Sequence, residues 1–152
     1  MGVDTKAILR KGTTIEQIEK AISEKYTDVR VHMSTCDFAW VIFKDGAEQR
    51  QLAVLLADSY DSENNIYGVW TSMGMWGNSV EIVRYLCETF GGYLDENDCD
   101  DEGYYPINFH LYSQGKEFTK LDEFRHKVIQ EVGYDKLKSV MQLLEDYSKI
   151  LK

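Results

Sequence analysis

The sequence predicts an α+β domain, with a largely antiparallel sheet built from two βαββ-like units, both helices on one face, and a C-terminal two-helix tail. Three observations predict this class. Short β-rich segments alternate with capped amphipathic helices through the first 112 residues. The two stretches 4–44 and 66–112 align without a gap at an offset of 65 residues. Residues 119–152 then carry helical periodicity, and we take 1–152 as a single domain.

The first unit begins with a strand over 5–10 and a helix that starts at Thr13-Thr14. Glu16 and Gln17 are placed for a capping box, and the apolar residues that follow share one helix face up to about Tyr26. Strands are then predicted over 29–33, 38–44 and 52–57, with Asp45-Gly46 as a turn signal and 58–65 as a polar loop.

The second unit begins with a strand over 66–73. Asn78 or Ser79, together with Glu81, caps a second helix that ends at Gly91-Gly92. Strands over 93–97 and 105–112 flank an acidic loop. At the offset of 65, Thr14 falls on Ser79 and Ile18 on Val83. This match predicts an internal repeat, although two unrelated capped amphipathic helices could also produce it.

The tail is predicted as two helices separated by Gly133. Thr119 caps the first, which runs to Val132, and Asp135 caps the second, which reaches Leu151. Apolar residues of the second helix recur at spacings of three and four; they are Leu137, Val140, Leu144, Tyr147 and Leu151. Two heptads are too few for an autonomous coiled coil, so packing within the chain is favoured over a homo-oligomer, which remains open.

Composition limits the partners of this chain. A content of 43% hydrophobic residues and one proline predicts a domain that folds alone, and the lack of a long apolar run predicts a cytoplasmic protein without membrane association. The 26 acidic against 17 basic residues give a net charge of −9, which disfavours groove binding to nucleic acid and suits a protein partner with a basic surface. The three cysteines indicate reduced structural thiols.

The acidic loop is the first candidate site. It places six carboxylates in eight residues, namely Asp95, Glu96, Asp98, Asp100, Asp101 and Glu102. The spacing of Asp98, Asp100 and Glu102 imitates the first half of a calcium loop, but Phe109 stands where the bidentate glutamate is required, so no metal is predicted. A solvated loop and a protein-binding acidic patch remain as interpretations.

The segment that leads into the second helix is the second candidate site. Its glycines and the helix N-terminus present backbone N–H groups to a phosphate or carboxylate, and its aromatic rings could stack on a base. The candidate ligand-binding residues are Tyr67, Trp70, Thr71, Ser72, Trp76, Asn78, Ser79 and, as the nearest cation, Arg84. The segment matches no known phosphate-loop motif, so a simple turn is the alternative interpretation.

Catalysis has little support in the sequence. His32, His110 and His126 are scattered, and no serine or cysteine has a recognisable catalytic setting. We therefore predict a protein that is not an enzyme and that requires no cofactor.

The chain also resembles small accessory proteins of tailed phages in its general character. The residues that carry this resemblance are the opening Met1-Gly2-Val3-Asp4-Thr5-Lys6, the segment Phe90-Gly91-Gly92-Tyr93 and the acidic loop after it. The resemblance implies an accessory role toward the host, in the host cytoplasm, such as inhibition of a defence system. Two hypotheses follow: the acidic surface blocks a basic site on a defence protein, or the aromatic and amide-lined segment sequesters a nucleotide signal. A housekeeping or virion accessory protein with neither role is the third interpretation.

Overall fold

A computed structural model describes residues 4–61, 66–74, 77–96, 104–114 and 120–151. The strands within these ranges are β1 (Asp4–Arg10), β2 (Thr27–Met33), β3 (Phe38–Asp45), β4 (Glu48–Asp61), β5 (Ile66–Gly74), β6 (Gly92–Asp95) and β7 (Tyr105–Ile107). The helices are α1 (Ile15–Ser23), α2 (Ser79–Phe90), α3 (Phe109–Tyr112), α4 (Lys120–Val132) and α5 (Tyr134–Leu151). The predicted α+β class with a helical tail is confirmed.

The described strands form one antiparallel sheet in the order β2-β3-β4-β5-β1-β6-β7. Strand β1 lies in the interior of the sheet, where Ala7 pairs with Thr71 of β5 on one side and with Leu94 of β6 on the other. Strands β2 to β5 form a meander that returns to β1 from the far edge. Helix α1 carries the chain across to that edge.

Helices α1 and α2 cover one face of the sheet, as the sequence predicts. Because side chains alternate along a strand, Ala7 and Leu9 of β1 point toward these helices, as do Val41 and Phe43 of β3. The helices contribute the buried residues Ile18, Ala21, Ile22, Ile82, Val83, Leu86 and Cys87 to this core. The predicted capping box of α1 is present, with Thr14 and Gln17 bonded reciprocally at 3.2 and 2.9 Å.

The C-terminal helices pack on the opposite face. Ile8 and Tyr93 point away from α1 and α2 and form a second core with Tyr112 of α3 and Ile129 of α4. Helix α5 packs against α4. Two residues of the predicted apolar seam of α5, Leu144 and Tyr147, are 46% and 61% exposed. The expected burial of the seam within the chain is therefore not seen at these two residues.

The predicted strand over 105–112 is wrong in its second half. Alternating apolar residues suggest a continuous strand, but β7 ends at Ile107 and Asn108 adopts a left-handed conformation with φ 52°. The Asn108 side chain donates to the carbonyl of Glu88 at 2.8 Å, which fixes this turn on the end of α2. Phe109 and Tyr112 then lie on one side of the short α3 and pack on the second core.

The polar loop predicted over 58–65 is also partly wrong. Strand β4 continues through a register shift to Asp61, and Tyr60 pairs with Tyr67 of β5. The pairing of β4 with β5 shifts register between Leu55 and Ser59 and then resumes.

The two proposed repeat units share the element order βαββ but place their strands differently. Strand β6 follows α2 and lies beside β1, whereas β2 follows α1 and lies at the sheet edge beyond β3 and β4. The buried faces of the two helices follow the offset of 65, since Ile18 and Val83 are both buried. The N-caps Thr14 and Asn78 are out of step with it by one residue. The internal repeat therefore remains a prediction.

Candidate functional site

The β5 part of the predicted ligand segment is mostly inside the protein. Thr71 is fully buried and its hydroxyl donates to the carbonyl of Ala7, while Ser72 is buried on the other face of the sheet. Trp70 is half-buried and packs against the second core. Trp76 and the side chain of Tyr67 lie outside the described residues. These described side chains support the sheet and do not form an open surface together.

The N-terminus of α2 is held by side-chain bonds to its surroundings. Asn78 is the N-cap residue, but its side-chain amide donates to Asp45 Oδ2 at 2.7 Å and makes no cap hydrogen bond. Ser79, the first helical residue, is 1% exposed and donates its hydroxyl proton to the carbonyl of Gly74. The end of β5, the β3–β4 turn and α2 are thereby joined at one point.

A buried arginine that the sequence reasoning missed lies at this same point. Arg50 of β4 is 7% exposed and donates from Nη2 to the Ser79 hydroxyl oxygen. Among the described residues Arg50 makes that one hydrogen bond and no ion pair, although a guanidinium carries five N–H donors. Burial of a charge with so few partners is costly, which marks Arg50 as a candidate for ligand binding.

The backbone before α2 approaches the guanidinium closely. Gly77 has φ +58°, and a Cβ added there would lie 3.1 Å from Arg50 Nη1. A side chain at this position would be strained and would also press on Arg50. Glycine at residue 77 therefore allows the loop to pass beside the buried charge.

A cleft of about 490 Å³ opens beside Arg50. It lies where β5 ends at Gly74 while β4 continues back to Glu48, so that no described strand pairs with this side of β4 there. The described lining residues are Trp40, Glu48, Gln49, Arg50, Gln51, Met73 and Gly74. The cleft thus combines one buried cation with an indole ring and exposed polar side chains.

Two carboxylates influence the electrostatics of this region without neutralising Arg50 directly. The pKa of Tyr26 is raised by burial, then by the charges of Asp45 and Glu81, while Arg50 lowers it. All three charges therefore lie close enough to influence the Tyr26 hydroxyl. Among the described residues, neither carboxylate is ion-paired with Arg50.

Arg84 is not part of the cleft. It forms an ion pair with Glu96 and donates to the Tyr105 hydroxyl at 3.1 Å. Tyr105 in turn donates to Glu96, and burial followed by this carboxylate raises the pKa of Tyr105. The structure therefore places Arg84 with the start of the acidic loop and not with the rest of the predicted ligand site.

The first two residues of the acidic patch are held by the fold. Asp95 is 6% exposed in β6, and the Glu96 carbonyl accepts a hydrogen bond from Thr5 at 3.0 Å in addition to the side-chain ion pair. Asp98, Asp100, Asp101 and Glu102 lie outside the described residues. The structure therefore describes only Asp95 and Glu96 of the predicted patch, and its protein-binding role remains a prediction.

His126 of α4 is a further residue whose setting the sequence did not indicate. Its ring lies against Phe109, with centroids 3.9 Å apart and planes tilted by 32°, and both ring nitrogens contact the Tyr93 hydroxyl. Burial lowers the pKa of His126 to about 4, so the ring is neutral at pH 7. The contact joins α4 to the sheet.

The described residues contain no group of three or more His, Cys, Asp or Glu side chains that could hold a metal ion. None of the described helices combines the length and apolar character needed to cross a lipid bilayer. Comparison with protein-family models, with curated proteins and with solved structures finds no match to this chain.

Proposed function

We propose that this protein is a non-catalytic binding protein that holds a small phosphate-bearing ligand in the cleft beside Arg50. One observation carries the proposal: an arginine that is 7% exposed, with a single hydrogen bond among the described residues, lines an open cleft. This proposal develops the second of the two sequence hypotheses, in which a ligand is sequestered.

The chemistry of the site suits a phosphate. Arginine binds phosphate through parallel N–H donors, and such charge-assisted hydrogen bonds strengthen where water is largely excluded. Arg50 is itself bonded to Ser79, the first residue of the 12-residue helix α2. The cleft volume falls within the range of about 300 to 1,000 Å³ that is common for small-molecule sites.

Binding is favoured over catalysis by the groups that line the cleft. The described lining holds one carboxylate, Glu48, and no histidine or cysteine. The Ser79 hydroxyl beside Arg50 is already used, since it accepts from Arg50 and donates to Gly74. A nucleophile next to a general base, as covalent catalysis needs, is not found among these residues.

Calorimetric titration with pyrophosphate at constant ionic strength tests the proposal. We expect saturable binding by the wild-type protein and a loss of at least tenfold in affinity for Arg50→Gln, since the variant removes the buried charge. Arg30→Gln is the matched control, because Arg30 is an exposed arginine on the edge strand β2. Equal affinity in wild type and Arg50→Gln, or no saturable binding to the wild type, would contradict the proposal.

A further inference from the structure

We infer, on the basis of the proposed function, that the ligand is a nucleoside phosphate whose base lies against Trp40 while its phosphate is held by Arg50. Both residues line the same cleft. A ligand with a charged end and a flat aromatic end, joined by a short polar spacer, would engage both of them. A nucleoside phosphate has this composition.

The two side chains reach the cleft from opposite faces of the sheet. Arg50 pairs across the strands with Phe43, which faces α1 and α2, whereas Trp40 is three residues from Phe43 on β3 and faces the other way. The cleft opens at the end of β5, so side chains of both faces can line it. The charged and aromatic contacts are therefore at separate places, as the two ends of a nucleotide require.

The indole of Trp40 is held in position by its neighbour. The ring of Phe38 meets it edge to face at 5.3 Å with an interplanar angle of 76°. Trp40 is half-buried and is one of the lining residues of the cleft, so part of its surface is open to solvent. A fixed, partly open indole suits base stacking, which does not require the ring to reorganise.

The remaining lining offers groups that match the edge of a base. Gln49 and Gln51 are exposed, and each amide provides two donor hydrogens and an acceptor oxygen; Glu48 adds acceptors. Inorganic phosphate would leave the indole and these amides unused. The net charge of −9 disfavours a long polyanion, which favours a mononucleotide or dinucleotide over a nucleic-acid strand.

The test is a calorimetric comparison of inorganic phosphate, ribose 5-phosphate and the four ribonucleoside 5′-monophosphates. We expect at least one nucleotide to bind about 5- to 150-fold more tightly than ribose 5-phosphate, the range that base stacking on an aromatic side chain supplies. Trp40→Leu should remove this preference, whereas Arg50→Gln should weaken the binding of nucleotides and of ribose 5-phosphate alike. Trp70→Phe is the matched control, since Trp70 packs against the second core.

The outcomes separate this inference from the proposed function. Equal binding of ribose 5-phosphate and all nucleotides, or a nucleotide preference that survives in folded Trp40→Leu, would overturn the nucleotide assignment while the phosphate site stands. Failure of every phosphate to bind, or undiminished binding by Arg50→Gln, would overturn the proposed function. Should Trp40→Leu not fold, the indole N–H resonance of Trp40 in the wild type decides: it should shift with nucleotide and not with ribose 5-phosphate, and the opposite result overturns the assignment.

Discussion

The Tyr93 hydroxyl of strand β6 contacts both ring nitrogens of His126 in helix α4, Nδ1 and, at 2.9 Å, Nε2, and this contact joins the central sheet to the C-terminal helices. The imidazole also lies against Phe109 and within 6.5 Å of the Tyr112 ring. The neutral imidazole is accommodated there. Protonation would place a positive charge at a site where burial removes much of its hydration. The docking of the tail on the sheet is consequently sensitive to protonation.

We predict that His126 makes the protein less stable in acid. Because burial lowers its folded pKa from 6.5 to about 4, the unfolded state binds more protons between these values. The free energy of unfolding is therefore unaffected by protonation of this histidine above pH 6.5 and falls as the pH is lowered to about 4. The loss amounts to about 2 kcal/mol after allowance for the partial exposure of His126. Urea unfolding of wild type and His126→Gln from pH 4 to 7 should show a flatter profile in the variant. His32→Gln, at an exposed position, is the control, and equal slopes in wild type and His126→Gln would refute the prediction.

Ser79→Ala should destabilise the protein by about 2 kcal/mol, the scale of a buried hydrogen bond to a charged group. The variant leaves Arg50 without its described partner and also frees the Gly74 carbonyl. Urea unfolding at pH 7 measures the loss. Ser23→Ala, which removes an exposed hydroxyl bonded to Glu19 within α1, should cost less than about 0.5 kcal/mol. A loss at Ser79 no larger than this control would show that the Arg50–Ser79 contact contributes nothing.

Gly68→Ala should disrupt the pairing of β1 with β5. A Cβ at residue 68 would lie 1.9 Å from the Leu9 carbonyl oxygen, so the strands must separate, and we expect a loss of about 3 kcal/mol in unfolding free energy. Gly12→Ala is the comparison, because a Cβ at residue 12 would meet no atom within 4 Å. Its loss of unfolding free energy, about 1 kcal/mol, would come only from the positive φ of +87°. Similar losses for both variants in thermal unfolding would mean that close strand approach is not what requires glycine at residue 68.

The acidic-docking hypothesis makes a separate prediction about Asp98, Asp100 and Asp101. If these carboxylates bind a basic protein surface, the triple asparagine variant should lose partners that wild type retains at low salt and releases at about 0.5 M salt, since screening weakens such contacts. Co-purification followed by mass spectrometry measures this. Neutralising Glu16, Glu24 and Asp37 gives a control of equal charge at exposed positions elsewhere. Partners lost equally from both variants would indicate a general charge effect and not a docking loop.

Local signals in the sequence predicted the local structure well. The Thr14–Gln17 capping box and the break at Gly133 depend on residues close together in the chain, and both are present. Asn78 is the N-cap of α2 but makes no side-chain cap hydrogen bond, and the predicted cap Asp135 lies inside α5, which begins at Tyr134. The alternation of Tyr105, Ile107 and Phe109 was misleading, because Asn108 turns the chain and a hydrogen bond to Glu88 holds that turn. Periodicity does not report such a distant contact.

The cleft could not be predicted because its parts meet through strand pairing. The sequence interpretation searched for a cation near residues 67–79 and chose Arg84, which instead pairs with Glu96. Arg50 reaches Ser79 because β4 lies beside β5 in the sheet. The position of Arg50 in the strand was a usable signal. Side chains alternate between the faces of a sheet, so Arg50 shares a face with Leu52 and Val54 and is expected to be buried with them.

The interior position of β1 also determines the order in which the sheet can be completed. Ile8 pairs with Trp70 on one side and with Tyr93 on the other. Both strands that pair with β1 therefore lie far from it in the sequence. Contacts between distant segments slow folding because the loop between them must first close. During synthesis, the meander of β2 to β5 can assemble before the second neighbour of β1 exists. Completion of the sheet through β6 is therefore expected to be the late and slow event in the folding of this protein.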